Sequence, residues 1–396
     1  MMTVVITIEQ RFDRTPDGGI WAPMFGYSFW QRYLTVFDTV RVVARVRDVS
    51  EVPSHFSRAD GDRVTFAGVA HYIGPLQYAI RSRQVRSAAR RAIGPGDAVI
   101  LRVDSQIAAC VYPVLRRTGH PYGVEVVVDP YDVFAPGSFK HPLRPFFRWK
   151  FTRQLRQQCA ASGAAAYVTS RMLQLRYPPP PSAFATSYSS IELPAHAFAN
   201  EPRIIVGKAG PFTLTIVAAL EDMRKGHDIL FKAMQVCLRD GLDLQLEVIG
   251  DGRSRPALEA LATKLAIRPR VTFVGQLNAQ EVRTHLDGAD LFVLPSRGEG
   301  LPRAAIEAMA RGLPALGTTV GGFPELLPIE DLVPPGDVHC LARKIREILG
   351  SPERMATMSA RNLERAKEYR EEILRSRQTA FYRFLRERTS AWLNGS

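Results

Sequence analysis

The stretch "DLFVLPSRGEGLPRAAIEAMARG", Asp290 to Gly312, sets an apolar strand, a loop bearing glycine and proline, and a strong helix former in immediate succession. Its first third reads as a buried strand, and "AAIEAMARG" as a helix ended by Gly312 at its C-terminal cap. The helix opens near Pro302 or Arg303, since proline is favoured at the first helical position. Two carboxylates flank that opening, Glu299 in the loop and Glu307 in the helix. Eight helical residues amount to about 800° of rotation and about 12 Å of rise, so the two cannot work on one bond as a close acid and base. The unpaired N–H groups of a helix start attract phosphate. A ligand held there by a diphosphate would extend one end towards Glu299 and the other towards Glu307. Carboxylates accept from the paired hydroxyls of sugars and ribose, and a molecule with a sugar at each end of a diphosphate is a nucleotide sugar. Spacing alone fits an ordinary loop glutamate and a surface helix glutamate better.

The same alternation extends outward through the C-terminal half. "FTLTIVAAL" (212–220) is a continuous β-branched run of the kind buried in a parallel sheet. After it, "HDILFKAMQVCL", "RPALEALATKLA" and "AQEVRTHLDGA" read as helices, and "LQLEVIG", "RVTFVG", "LPALGT" and "DLVPPGD" as strands. This rhythm predicts a doubly wound parallel sheet. In the N-terminal half strands are legible in "TVVITI", "VRVVARV", "AVILRV" and "YGVEVVVD", while the tetraproline of "YPPPPSAF" marks irregular structure. The chain of 396 residues exceeds the size of most single cores. A Gly/Pro-containing stretch, 200–211, is taken as the boundary. The expected organisation is a basic, Rossmann-like acceptor domain over 1–200, a Rossmann-like nucleotide-sugar domain over 201–375, and a C-terminal helix over 376–396 that packs back on the first. Two such domains facing each other would form a ligand cleft.

Composition narrows the partners. The net charge of +13 is uneven, with 24 Lys+Arg against 14 Asp+Glu in residues 1–200 and 28 against 25 in the rest. An anionic partner is therefore expected on the N-terminal half. "LRPFFRWKFTRQLR" (143–156) interleaves four aromatics with five Arg or Lys, as an interfacial amphipathic segment would, although a solvated helix face with core aromatics fits equally. Another basic run, "RSRQVRSAARR", covers 81–91. No motif accompanies the charge to suggest nucleic acid. The N-terminus lacks a signal-peptide layout and no apolar run approaches a membrane span, so a cytoplasmic protein is expected. The four cysteines match no metal spacing and fit reduced thiols. Asp60-Gly-Asp62 reads as a turn, and His227 as a helix start or cap.

With these residues in view, "SRGEGLPRAAIEAMARGLPALGTTVGGFPELL" resembles the E-x7-E region of family 4 of the retaining, nucleotide-sugar-dependent glycosyltransferases, which have the GT-B fold of two Rossmann-like domains. "AALEDMRKGHDILFKA", "VIGDG" and "VTFVGQL" resemble the family's Lys-Gly segment, its glycine-rich turn and its base-binding strand end, and "TPDGG" the loop after its first strand. The resemblance implies that Glu299 binds the donor sugar and Glu307 the ribose. It implies that the amides of Gly300, Leu301 and Arg303 face the sugar and diphosphate, and that Lys225 neutralises the departing diphosphate. Gly250 belongs to the glycine-rich turn of the donor site, Gly275, Gln276 and Leu277 would contact the base, and Gly18 and Gly19 would approach the phosphates from the opposite domain. Three positions depart from the pattern. Ala219 stands where the family commonly has an arginine, so Lys225 acts alone or with Arg224 or Arg297. Pro302 removes one N–H donor. Asp129 replaces the N-domain histidine and would take its catalytic place by accepting a sugar hydroxyl.

The activity implied is transfer of a hexose, with retention, from a nucleotide sugar to a hydroxyl of a glycan, glycolipid or other acceptor, in polysaccharide or glycoconjugate biosynthesis. UDP-glucose is the expected donor, ahead of GDP-mannose and UDP-N-acetylglucosamine. No cofactor and no metal are expected; a glycan or lipid-linked acceptor and an anionic surface at the inner membrane face are the expected partners. A nucleotide-sugar epimerase, a sugar-phosphate synthase and a silent nucleotide-sugar-binding scaffold are the alternatives.

Overall fold

The computed structural model describes residues 1–136, 141–191, 193–207 and 209–395; Lys208, inside the stretch taken as the boundary, lies outside them. The chain divides into two compact units. The first comprises Met1–Val128, Lys150–Tyr188 and Arg375–Ser396, and the second Asp129–Trp149 and Ser189–Leu374.

In the first unit the β-branched runs form strands β1 (Thr3–Arg14), β3 (Thr39–Asp48), β5 (Val64–Ala70), β6 (Ala98–Val103), β7 (Tyr122–Val126), β8 (Ala164–Tyr167) and β9 (Phe184–Ser187), with short strands β2 (Ile20–Ala22) and β4 (Ser57–Arg58). The long strands run parallel in the order β5-β3-β1-β6-β7-β8-β9, and β2 and β4 add antiparallel at the end of β1. β1 pairs with β6 only over Val4–Thr7, and its register with β3 shifts between Thr7 and Arg11. Every residue of β6 and β7 is buried, as expected of central parallel strands covered on both faces.

That burial extends to a charged pair. Arg102 Nη1 donates to Glu125 Oε2 at 2.6 Å, and the hydroxyls of Tyr33, Tyr188 and Tyr382 donate to the same carboxylate at 2.9–3.3 Å. Tyr382 belongs to the C-terminal helix Glu371–Gly395. That helix lies on β7 at Gly123, where an added Cβ would come within 2.8 Å of Phe381, so glycine admits the helix there. Arg386 of the helix also donates to Asp38 at 3.2 Å.

The second unit contains β10 (Phe212–Val217), β11 (Leu244–Ile249), β12 (Val271–Gly275), β13 (Leu291–Val293), β14 (Ala315–Thr318) and β15 (Leu332–Val333). All pair in parallel in the order β12-β11-β10-β13-β14-β15. Helices His227–Arg239, Arg255–Lys264, Ala279–Gly288 and Arg303–Ala310 follow the first four of these strands in sequence. The doubly wound sheet read from the sequence is thus present, and its order reverses between β10 and β13. Ligands of such sheets bind outside the carboxyl ends of the strands at that reversal. Among the described residues no helix is long and apolar enough to cross a membrane.

Candidate functional site

The segments leaving the carboxyl ends of β10 and β13 are stitched together at the reversal. After β10, the Asp222 carboxylate accepts from the Arg224 amide at 2.9 Å and shapes the turn Met223–Lys225. Gly226 follows at φ +77°, and a Cβ there would lie 2.0 Å from the Pro295 carbonyl oxygen; only glycine lets this turn reach the loop after β13. The Arg297 amide donates to the Arg224 carbonyl at 2.7 Å, and both Arg297 Nη atoms hold Asp228 at 2.7 Å in a fork.

Stitching brings Lys225 to Glu299, with Nζ to Oε1 at 2.6 Å. The Ser296 hydroxyl donates to the same oxygen at 2.7 Å. Glu299 is buried, with its side chain 6% exposed against 31% for Lys225. Its backbone is equally confined: a Cβ on Gly321 (φ +55°) would lie 2.4 Å from the Glu299 carbonyl oxygen, and the Gly322 amide donates to the Gly300 carbonyl at 2.6 Å. The Thr318 hydroxyl fastens the Ser296 carbonyl at 2.8 Å. The two arginines considered as helpers of Lys225 are both committed to acids, Arg224 to Asp222 at 2.8 Å and Arg297 to Asp228.

Beyond Glu299 the loop passes Gly300 and the buried Leu301 into the helix Arg303–Ala310. Pro302 is its N-cap, with no side-chain cap. The amide missing at proline therefore precedes the helix, and the first-turn amides of Arg303 and Ala304 remain. Glu307 lies half-buried on this helix and carries no hydrogen bond or ion pair among the described residues. Burial pushes its carboxyl above the usual range, while Arg303 and Arg283 pull against that rise.

The other residues that the resemblance assigns to the donor extend along the same edge. Gly250 and Gly275 are bonded to each other, amide to carbonyl at 2.8 Å, at the ends of β11 and β12. Gly250 has φ +130°, and a Cβ there would strike the Ala218 carbonyl at 2.2 Å. Gln276 is exposed and Leu277 half-buried just beyond. Ala219, in place of the family arginine, is exposed at the end of β10. His227, first residue of its helix, is fully buried, and neither ring nitrogen has a hydrogen-bond partner among the described residues. Burial lowers its pKa to about 4.

Asp129 is buried and caps the short helix Pro130–Val133, accepting from the Tyr131 amide at 2.9 Å. Its segment belongs to the second unit and lies against the Glu299 loop: the Gly321 amide donates to Asp132 at 3.2 Å, and a Cβ on Gly298 would meet the Asp132 carbonyl at 3.0 Å. Gly18 and Gly19 sit in the first unit, in the turn between β1 and β2, where the Gly18 amide donates to the Thr15 carbonyl at 2.9 Å. Sequence reasoning gave no role to Ser296, Thr318, Gly321, Gly226 or Asp132. Their roles follow from which loops meet, as the close approaches at Gly226, Gly298 and Gly321 show.

Residues 211–351 match the family model "Glycosyl transferases group 1". Over 364 residues the chain is 27% identical to protein CapJ of Staphylococcus aureus, covering 88% of this chain and 89% of that protein. Over 146 residues, 35% of this chain and 38% of the relative, it is 38% identical to the GDP-mannose-dependent monoacylated alpha-(1-6)-phosphatidylinositol monomannoside mannosyltransferase of Corynebacterium glutamicum. Among solved structures, sucrose-phosphate synthase from Thermosynechococcus elongatus superposes with a TM-score of 0.68 at 20% identity, over 97% of this chain and 99% of that one. The fold is GT-B, and over residues 211–351 the chain is similar to the group 1 glycosyl transferases.

Proposed function

We propose that the protein transfers a hexose, with retention, from a nucleotide sugar to an acceptor hydroxyl in polysaccharide or glycoconjugate biosynthesis. The observation that carries this reading is the Lys225–Glu299 pair beside a helix start without a side-chain cap, at the reversal of the second sheet. The diphosphate would lie on the amides of Arg303 and Ala304 with Lys225 as counterion, the ribose on Glu307 and the hexose on Glu299. Countercharge for the leaving group then comes from Lys225 and the helix start, with no metal in the scheme. The acceptor oxygen bonds to the anomeric carbon as the bond to the phosphate oxygen breaks, and the hydroxyl proton passes to the departing phosphate on the same face.

UDP-glucose is the proposed donor. GDP-mannose is a second reading, favoured by the similarity to the Corynebacterium mannosyltransferase, which is GDP-mannose-dependent. The proposed acceptor is a glycan or lipid-linked saccharide at an anionic membrane surface. Support for the surface comes from Phe146 and Trp149, 49% and 57% exposed on the basic helix Arg144–Cys159. Incubation with a panel of nucleotide sugars tests the reading. Slow release of nucleoside diphosphate and free hexose is expected; formation of an epimer, or tight binding without turnover, overturns it.

A further inference from the structure

The first unit has its own reversal, between β1 and β6, and the helix after β6, Gln106–Thr118, starts there. By sheet order this helix is the counterpart of Arg303–Ala310, yet its start is occupied. Glu9 lies in the stretch of β1 where its register with β3 shifts, between Thr7 and Arg11, and its side chain reaches that helix start. Glu9 Oε2 accepts from the Ser105 hydroxyl at 3.1 Å, the Gln106 amide at 2.9 Å and the Ile107 amide at 3.3 Å. The Ser105 hydroxyl caps the Ala108 amide at 3.2 Å. Glu9 Oε1 accepts from the Tyr72 hydroxyl and lies 3.6 Å from Arg45 Nε, so the Arg45 charge is already answered. Where the second unit leaves helix amides to a ligand, the first fills them with its own carboxylate.

Next to this carboxylate stands another. Asp104, between β6 and its helix, has a buried Oδ1 with no hydrogen-bond partner among the described residues, and Gln106 Nε2 is buried in the same condition. Burial, and then the charge of Glu9, push the Asp104 pKa up to about 7, against the pull of Lys150. Buried polar atoms of this kind find partners, and Asp104 Oδ1 lacks one; a hydroxyl can serve it as donor or as acceptor. A phosphate has its anion site taken by Glu9 and meets a like charge there, whereas a sugar hydroxyl supplies the missing partner.

We propose that this reversal takes an unphosphorylated sugar of the acceptor, with a hydroxyl hydrogen-bonded to Asp104 and an amide-bearing side chain, Gln106, completing the contact, and that Glu9 rejects a phosphorylated sugar. The inference rests on the glycosyltransfer reading and names the class of its acceptor. It separates the enzyme from a synthase that uses a free sugar phosphate. A lipid-linked saccharide remains compatible, because its reacting sugar is distant from its own phosphates.

The test is calorimetric titration of the full chain with methyl α-glucoside and methyl α-mannoside, and with glucose 6-phosphate and mannose 6-phosphate, each with and without nucleoside diphosphate. The unphosphorylated sugars are expected to bind about tenfold or more tightly than the phosphates, the scale of a like-charge juxtaposition. Glu9→Gln should narrow that ratio by strengthening phosphate binding, and Asp104→Asn should weaken the methyl glycosides. Equal or tighter binding of the phosphates, or binding of none of the four, overturns the proposal; the wild-type ratio decides it even if Glu9→Gln fails to fold. The donor panel reads the underlying activity separately. A protein that turns over donor but prefers sugar phosphate refutes only the acceptor class, and one that prefers methyl glycosides but turns over no donor refutes only glycosyltransfer.

Discussion

Lys225 Nζ rests 2.6 Å from Glu299 Oε1, so the cation assigned to the diphosphate and the carboxylate assigned to the sugar hold each other across two loops of one sheet edge. The pair fixes both side chains at the reversal of the sheet before any ligand arrives. On the proposed reading it also divides their labour: Lys225 bears charge toward the leaving group and Glu299 accepts hydrogen bonds from the sugar.

That division predicts different losses. Glu299→Gln should abolish turnover while nucleoside diphosphate still binds, measured by donor hydrolysis beside calorimetry. Equal loss of nucleotide binding would refute the assignment. Lys225→Ala should lower kcat by about 100-fold, the scale of one lost electrostatic stabiliser at a developing charge.

Glu307 should matter to the nucleotide and little to the fold. Glu307→Ala is expected to weaken nucleoside diphosphate binding by about 1–3 kcal/mol, the scale of a lost charge-assisted hydrogen bond. Its raised pKa means that burial penalises the carboxylate. Its stabilising contribution is therefore fully present below the unfolded pKa and lost as pH rises through the folded one. Glu307→Gln should accordingly melt no lower than the wild type at pH 7, and a large fall in melting temperature would contradict this.

His227 predicts a pH effect of opposite sense. Its pKa falls to about 4 in the folded protein, so the unfolded chain takes up a proton first on acidification. The contribution is present above the ordinary histidine range and is lost as pH falls from about 6.5 towards 4, by roughly 2–4 kcal/mol. His227→Leu should flatten that limb of the stability–pH curve in urea titrations. An unchanged slope would remove His227 from the account.

Glu125 is the polar centre of the first unit, holding Arg102 and three tyrosine hydroxyls. Glu125→Gln leaves Arg102 buried without its counter-charge and should cost about 3–5 kcal/mol. A loss below about 1 kcal/mol by denaturant titration would show that the cluster tolerates an uncharged centre.

Much of the second unit was legible because its strands are continuous apolar runs and its helices have clear periodicity; "LFVLPS" and "AAIEAMARG" fall where the loop carrying Glu299 needs them. The first unit was harder. β8 is the short run Ala164–Tyr167, and β2 and β4 are too brief to show a period. At the site, Glu299, Lys225 and Glu307 could be singled out by the resemblance of their motifs, and the structure brings Lys225 to Glu299. Ser296 and Asp132 could not, since their roles depend on which loops meet. Nor could Glu9, whose partners at Ser105–Ile107 lie almost a hundred residues away in the sequence.

The central claim is that Glu299 and Glu307 hold the two ends of one nucleotide sugar with the helix start between them. A crystal structure with a bound, non-hydrolysable nucleotide sugar tests it most directly. The account predicts ribose hydroxyls on Glu307, hexose hydroxyls on Glu299 and diphosphate oxygens on the Arg303 and Ala304 amides with Lys225 beside them. A diphosphate away from that helix start, or a ribose that leaves Glu307 untouched, would contradict it.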